Sequence, residues 1–370
     1  SDSFWGKYEK AVPLYQRALV AKAETIGTDN TSYANSLHNL ASAYLKLKRY
    51  EEAKTFYVRA LDIWQRIYGA NHPDVSTGYG HLSQLYADMG DFEQAYYYAM
   101  KSLLIENTLI SQVIGFTSEK QKLQFIASNN WGLHYCLDLV SQHFIQDQTK
   151  RKDVLDIWIK RKGIILDVQR KSQESSLITG DEEAARLFAQ LSGVRTELSQ
   201  LVFSHNRADD DGYRPRIAAL ESERDRLEAQ LSRVSKPFAV KLDIARADSK
   251  KVANTLPPSS VMIEFARIET DHFDSTDDQS LPDRYLAFII EAGNSDKLDM
   301  IDLGRTDKID SLIAQYKNQL DVSGKGGAED ANLTAIALYD RVFLPIQKSI
   351  GKTKNIFISP DGNLNLIPFE

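Results

Sequence analysis

The 370-residue sequence holds a single cysteine, Cys136. That excludes an intramolecular disulfide framework and fits a reducing compartment. No apolar run approaches the length of a bilayer-spanning helix and no signal peptide precedes Trp5, so the cytoplasm is the expected location and no membrane partner is indicated. Basic charge is not in surplus: 45 Lys and Arg against 51 Asp and Glu give a net charge of −6, which offers no electrostatic case for nucleic acid. His38, His72 and His81 are not at metal-ligand spacing to one another, so no metal and no cofactor is expected. What remains is ordinary for globular protein, 42% hydrophobic and 26% charged, and long enough for two or three domains.

The first hundred residues repeat with a period of 42. Leu40-Ala41-x-x-Tyr44 recurs as Leu82-Ser83-x-x-Tyr86, Tyr50-Glu51-Glu52-Ala53 as Phe92-Glu93-Gln94-Ala95, and Leu61 as Leu103, with Ala60 answered by Ala99 at a shorter step. Backward by the same step, Tyr8 to Ala11 and Ala18-Leu19 match again. Small residues such as Ala41, Ala53 and Ala95 let helices approach, while Tyr44, Tyr57, Tyr86 and Leu61 fill the space between them. One such pair cannot bury its own apolar face, so the pairs must stack. Asn71-His72-Pro73-Asp74 is the connector, with proline ending one helix and opening the next.

These pairs resemble tetratricopeptide repeats, with the spacing of the kinesin light chain type. In that family the first helix of each pair lines a concave groove, which places Asn35, His38, Asn39, Ser42 and Lys46 there, followed by Thr77, Gln84 and Asp88. Asn39 matches a position where related repeats bond an extended peptide backbone through an amide; His81 in the next repeat departs from that pattern. The competing reading is a solvated helix face. For the array as a whole a protein or peptide partner is expected.

Residues 1–105 are thus assigned to repeats, the first incomplete, and 106–178 to a helical linker. Within the linker, Ser118-x-x-Gln121 is read as a capping box, and a helix over Val154 to Gln169 carries Arg161-Lys162-Gly163, to which no chemistry is assigned. Residues 179–235 are expected to fold as an antiparallel helical hairpin. Leu187, Leu191, Val194, Leu198 and Leu201 form one seam, and Ile217, Leu220, Leu227, Leu231 and Val234 the other, with Arg224 at a seam position.

From 236 to 370 the pattern becomes α/β. Strands are expected at Val261–Ile268, Tyr285–Glu291, Leu298–Asp302 and Asn355–Ser359, helices at Lys308–Gln319 and Leu333–Ser349, an acidic loop at Thr270–Pro282 and a flexible loop at Ser323–Gly327. The closing stretch, NIFISPDGNLNLIPFE, reads as a strand, a Pro360-Asp361-Gly362-Asn363 reverse turn and a second short strand over Leu364–Phe369.

FISPDGNLNLIPFE resembles the signature midway through CHAT domains, caspase-like peptidases found behind tetratricopeptide repeats. SSVMIEFARIE, RYLAFIIEAG and DMIDLG extend the resemblance back to about Ser259, and the upstream repeats are the usual companions. The resemblance implies residues 236–370 are the front of a caspase-like, largely parallel sheet, with the catalytic histidine and cysteine downstream of Glu370. The chain is then expected to be cut at both ends, inert as it stands, and completed by the missing half of that domain. The alternative function is a non-enzymatic scaffold with a degenerate CHAT portion; a motor-adaptor role is disfavoured by the α/β region.

Two tempting sites are set aside. Cys136 near His134 and His143 reads as a buried structural thiol, since His134 faces a different direction on the same helix. Gly324-Lys325-Gly326-Gly327 lacks the strand before it and the Gly-Lys-Ser/Thr ending of a phosphate loop. Asp361 and Gly362 are what the turn needs, so Asp361 is read as structural.

Overall fold

The computed structural model describes residues 4–114, 125–126, 130–169, 182–203, 212–235, 247–270, 282–321, 325–367 and 369. In chain order the helices are α1 (Phe4–Thr25), α2 (Thr31–Lys46), α3 (Tyr50–Tyr68), α4 (Pro73–Asp88), α5 (Phe92–Ile114), α6 (Trp131–His143), α7 (Gln148–Gln169), α8 (Glu182–Phe203), α9 (Tyr213–Val234) and α10 (Ser249–Thr255). Strands β1 (Ser260–Ile268), β2 (Arg284–Glu291) and β3 (Asn294–Arg305) follow, then α11 (Thr306–Asp321), α12 (Lys325–Val342), α13 (Gln347–Ile350) and β4 (Asn355–Ser359). Two compact units result, Ser1–Gly132 with Ile164–Ala245, and Leu133–Gly163 with Arg246–Glu370. Among the described residues no helix is long and apolar enough to cross a membrane.

In the first unit the 42-residue period is visible in the packing. Leu40, Ala41, Tyr44, Ala53, Ala60 and Leu61 are buried, and so are their partners Leu82, Ser83, Ala95 and Leu103 one repeat on. The tight turn between paired helices also repeats: Lys48 (φ 56°) and Gly90 (φ 80°) both take left-handed backbone 42 residues apart. Asn30 caps α2 by accepting from Tyr33 N–H, and His72 caps α4 by accepting from Asp74 N–H, with Pro73 in the first turn where its missing N–H costs nothing. Proline therefore opens α4, but α3 is stopped earlier, at Tyr68, by Gly69 with φ 89°. Gly78 lets α3 and α4 close up: a Cβ there would lie 3.1 Å from Leu61 and 3.3 Å from Trp64. Helices α8 and α9 form the expected hairpin, with Leu187, Leu191, Leu227 and Leu231 in one buried cluster. Its other end joins the repeat core through Leu198, with Tyr213 edge-on to Tyr68 at 6.5 Å. Val234, the last residue of α9, departs from expectation because the pairing runs out there and it is exposed, while Arg224, midway along α9, pairs with the adjacent Asp225 at 2.8 Å.

The second unit is built on a four-stranded sheet of order β3-β2-β1-β4. β1 pairs antiparallel with β2, β2 antiparallel with β3, and β4 parallel with β1. The sheet is therefore mixed, not largely parallel. A short Ala292-Gly293 turn (Gly293 φ 70°) permits only an antiparallel return from β2, whereas the long helical passage through α11 to α13 brings β4 back parallel. Val261, Ile263 and Phe265 of β1 and Tyr285, Ala287 and Ile289 of β2 form a core with Ile309 and Ile313 of α11 and Leu338 and Val342 of α12. Glu264 lies on the opposite face of β1, against Trp158 and Lys162 of α7.

Several expectations need correction. β3 runs from Asn294 rather than Leu298, its exposed polar start having hidden the hairpin. Lys325 to Gly327 belong to the first turn of α12 and not to a loop; glycine's helical cost of about 1 kcal/mol each is offset where Leu338 and Val342 pack. The helix expected over Leu333–Ser349 ends at Val342, and Pro345 sits in a 3-10 turn, Leu344–Ile346, before α13. The strand expected over Leu364–Phe369 is instead a 3-10 turn, Gly362–Leu366, closed by Leu364 N–H to Asp361 O and Ile367 N–H to Leu364 O. The Ser118–Gln121 capping box, the 205–211 loop, Pro237 and most of the 270–282 loop lie outside the described residues.

Candidate functional site

The residues named for the groove lie on α2 and α4, and the structure joins several of them into one polar cluster. Asn35, Asn39, Thr77 and Asp88 are exposed, while His38, Ser42, Lys46 and Gln84 are half-buried. Beneath them α3 contributes Tyr57 and Trp64, both buried. The His38 ring packs against Tyr57 and Trp64, each at 5.3 Å between centroids. Burial first, and then the neighbouring His81, push its pKa down to about 3, so it is a neutral imidazole at neutral pH.

Donor and acceptor roles follow from chemistry. Indole nitrogen can only donate, so Trp64 Nε1–H (3.1 Å) fixes the Asn35 amide with its oxygen toward the tryptophan, leaving its NH2 as the donating end. The Ser42 hydroxyl donates to His38 O at 3.1 Å, so at the 2.9 Å Ser42–Tyr57 contact it is Tyr57 that donates. His81 Nδ1 lies 3.0 Å from Thr77 O, a pure acceptor, and 3.2 Å from His38 Nε2. The proton therefore sits on His81 Nδ1, and His38 Nε2 presents its lone pair.

The sequence did not reveal this histidine pair, because the two residues are 43 apart and neither helix alone shows them together. The signal was the period itself: Asn39 and His81 are one repeat apart, and His38 is next to Asn39. Lys46 and Asp88 occupy equivalent places at the last residues of α2 and α4.

A second constellation lies in the sheet unit, around the Pro360-Asp361-Gly362 turn. Asp361 Oδ2 accepts from the Arg267 backbone N–H at 2.7 Å. Tyr285 OH donates to Asp310 at 2.9 Å and accepts from Asn363 N–H at 3.0 Å. Lys162 Nζ donates to Ser359 O and Pro360 O, at 3.3 and 2.9 Å, and to Glu264 Oε1 at 2.6 Å. Gly362 has φ 54°, and a Cβ on it would meet Tyr285 OH at 2.7 Å. The Asp361 carboxylate is thus spent on holding the turn.

The Arg161-Lys162-Gly163 segment, given no chemistry from sequence, supplies that anchor. Glu264 is 2% exposed, and burial raises its carboxyl pKa despite the attraction of Lys162. Its signal was present in the sequence as a lone carboxylate in an apolar strand. Cys136 is fully buried on α6. His134 beside it accepts from Glu269 N–H at 3.2 Å and is pushed down to about 4 by burial and then by the charge of Arg161. Both are core residues.

The tetratricopeptide repeat family matches this chain over residues 6–61 and 32–103. The repeats are tetratricopeptide repeats. The matched span covers α1 to α4 and part of α5, and so includes every residue of the α2–α4 cluster. Tetratricopeptide repeats imply protein partners for this part of the chain. A comparison with curated proteins gives no match.

Proposed function

We propose that the tetratricopeptide array binds an extended segment of a partner protein along the α2–α4 face. The observation that carries this reading is the ordering of the Asn35 amide by Trp64, which turns its NH2 outward on the exposed side of α2. Asn39 lies one turn further along the same face. Four residues of helix advance about 6 Å, close to the roughly 6.6 Å between alternate carbonyls on one edge of a strand. Two amides at that spacing suit successive same-side backbone groups of an extended peptide. Thr77, Gln84, Lys46 and Asp88 would then select side chains.

The test is a peptide-display selection on the tag-free full chain, followed by affinity measurement for Asn35→Ala and Asn39→Ala. Loss of a hydrogen bond at each position should weaken binding by roughly three- to tenfold. Binders indifferent to both substitutions would overturn the assignment.

A second reading concerns the sheet unit. The FISPDGNLNLIPFE resemblance supports a role for residues 236–370 as the front portion of a caspase-like CHAT peptidase domain, with the catalytic cysteine and histidine outside residues 1–370. Such a domain works by thiolate attack on a peptide carbonyl, with histidine as base. β4 stands at the sheet edge with Ile356 45% and Phe357 43% exposed, as expected of a strand that another portion of the domain pairs. A scaffold with a degenerate CHAT portion remains the alternative. Residues 1–370 assayed against a peptide library should show no cleavage; cleavage, whether or not it survives Cys136→Ala, contradicts this reading.

A further inference from the structure

We propose that β4 is a docking strand for a second copy of this chain, pairing antiparallel with its own counterpart across a two-fold axis through Phe357. β4 is hydrogen-bonded on one side only, at the end of the order β3-β2-β1-β4. Its sequence, Asn355-Ile356-Phe357-Ile358-Ser359, holds none of the proline or charge with which sheet edges are guarded. It is also close to a palindrome about Phe357. Antiparallel pairing of two such strands sets Ile356 opposite Ile358 and Asn355 opposite Ser359, the self-complementarity that a two-fold interface requires.

The backbone agrees with that register. Ser260 O accepts from Ala292 N–H, so in β1 the backbone groups of Ser260 and Met262 face β2, and those of Val261 and Ile263 face β4. Val261 is the parallel partner of Ile356, and a residue in a parallel ladder bonds to those on either side of its partner. Asn355 and Phe357 are therefore turned toward β1, and Ile356 and Ile358 turn N–H and C=O to the open edge. In the register centred on Phe357 these are the groups that meet. Each Ile356 exchanges a pair of N–H···O bonds with an Ile358 of the second copy, which leaves no backbone group on that edge of the strand unpaired.

The two faces of the strand fit as well. Ile358 packs with Val261 and Ile263 on the side of α11 and α12, and Ile356, 45% exposed, points the same way. Pairing sets the isoleucines of the two copies side by side and carries that apolar layer across the axis. On the opposite face Phe357, 43% exposed, meets its counterpart. Pro360 follows the strand and has no N–H to offer, so the ladder ends there. Five residues from each copy make a small contact, which places the association in the transient class, with Kd on the order of 10 μM. The two-fold contact consumes the β4 edge of both copies, so assembly through it stops at the dimer. A strand from another portion of the domain would take the same edge. The proposal therefore concerns the chain with β4 bare, and it depends on neither reading above.

Sedimentation velocity of the tag-free full chain, from about 1 to about 200 μM, should show a reversible monomer–dimer equilibrium. Ile356→Pro removes an outward N–H while keeping the bonds to β1, and should weaken the dimer at least tenfold. Disulfide trapping reads the register and guards against a folding failure in that variant. Phe357→Cys places two thiols at a non-hydrogen-bonded antiparallel pair, about 4.5 Å between Cα atoms, which a disulfide can span. Asn355→Cys places them about 14 Å apart, four residues out of step, which it cannot. Cys136 is buried and takes no part. Mild oxidation should give covalent dimer from Phe357→Cys at least ten times faster than from Asn355→Cys. A chain that stays monomeric at about 200 μM, assembly that continues past the dimer, or equal trapping from the two cysteines overturns the proposal.

Discussion

Replacing Lys162 by methionine removes the ammonium that faces Glu264 while leaving a side chain of similar length. Glu264 is 3% exposed at its side chain and Lys162 18%, and the contact is 2.6 Å. Stripping one partner from a buried pair costs about 3–5 kcal/mol, because the other charge is left uncompensated. Trp158 Nε1–H still donates to Glu264 at 2.9 Å, which places the expected loss near the lower end, about 3 kcal/mol. The same substitution frees Ser359 O and Pro360 O, so the damage should be local to the turn. Hydrogen exchange with residue resolution is the suitable assay: the amides of Arg267 and Asn363, which bond Asp361 and Tyr285, should exchange about a hundredfold faster. Adding Glu264→Gln should recover most of the loss. Burial already favours the protonated carboxyl of Glu264, and without Lys162 it is favoured further, so the single variant's deficit should shrink as pH falls. If Lys162→Met moves neither amide, or the double variant is no better than the single, the anchor account is wrong.

Three further outcomes follow from the geometry. His134 is neutral in the folded state, with its pKa pushed down to about 4, and protonated in the unfolded chain below about 6.5, so the unfolded state binds more protons between those values. Stability should therefore fall as pH drops through that window, by about 3 kcal/mol in total, and urea midpoints of His134→Asn should lose that part of the slope. Gly362→Ala should cost more than 2 kcal/mol, since it adds left-handed strain to a 2.7 Å clash with Tyr285 OH, whereas Tyr285→Phe should cost about 1–3 kcal/mol by leaving Asp310 and Asn363 N–H short of a partner. Gly78→Ala should lower the melting temperature by pushing Leu61 and Trp64 out of the α3–α4 contact, and a thermal scan that leaves it unchanged would contradict that packing.

Much of the architecture was legible because it is periodic. Tyr50 to Ala53 and Phe92 to Ala95 announce helices whose small residues are buried, and Leu187 to Leu201 announce the hairpin. β1, β2 and β4 were found nearly to the residue because each is an apolar run, buried in β1 and β2 and largely exposed in β4. β3 was shortened because its start is polar and exposed, and the last segment was misread because Leu364 and Leu366 alternate like a strand. What makes that segment a 3-10 turn is a tertiary bond, Asn363 N–H to Tyr285 OH, which no local pattern carries. The candidate site divides the same way. Groove positions could be read from the repeat register, but the His38–His81 contact and the Lys162–Glu264 pair join residues 43 and 102 apart. They exist only once the helices and strands are in place.

The most direct test of the central claim is site-specific photo-crosslinking of a selected peptide. A benzophenone side chain at Gln84, on the α4 side of the face, should capture the peptide. The same group at Arg59, an exposed position on α3, should not. Capture from Gln84 that falls severalfold with Asn39→Ala, at peptide concentrations below the dissociation constant, is the predicted result. Equal capture from both positions, or capture from Arg59 alone, would mean that the α2–α4 face is not where this protein holds its partner.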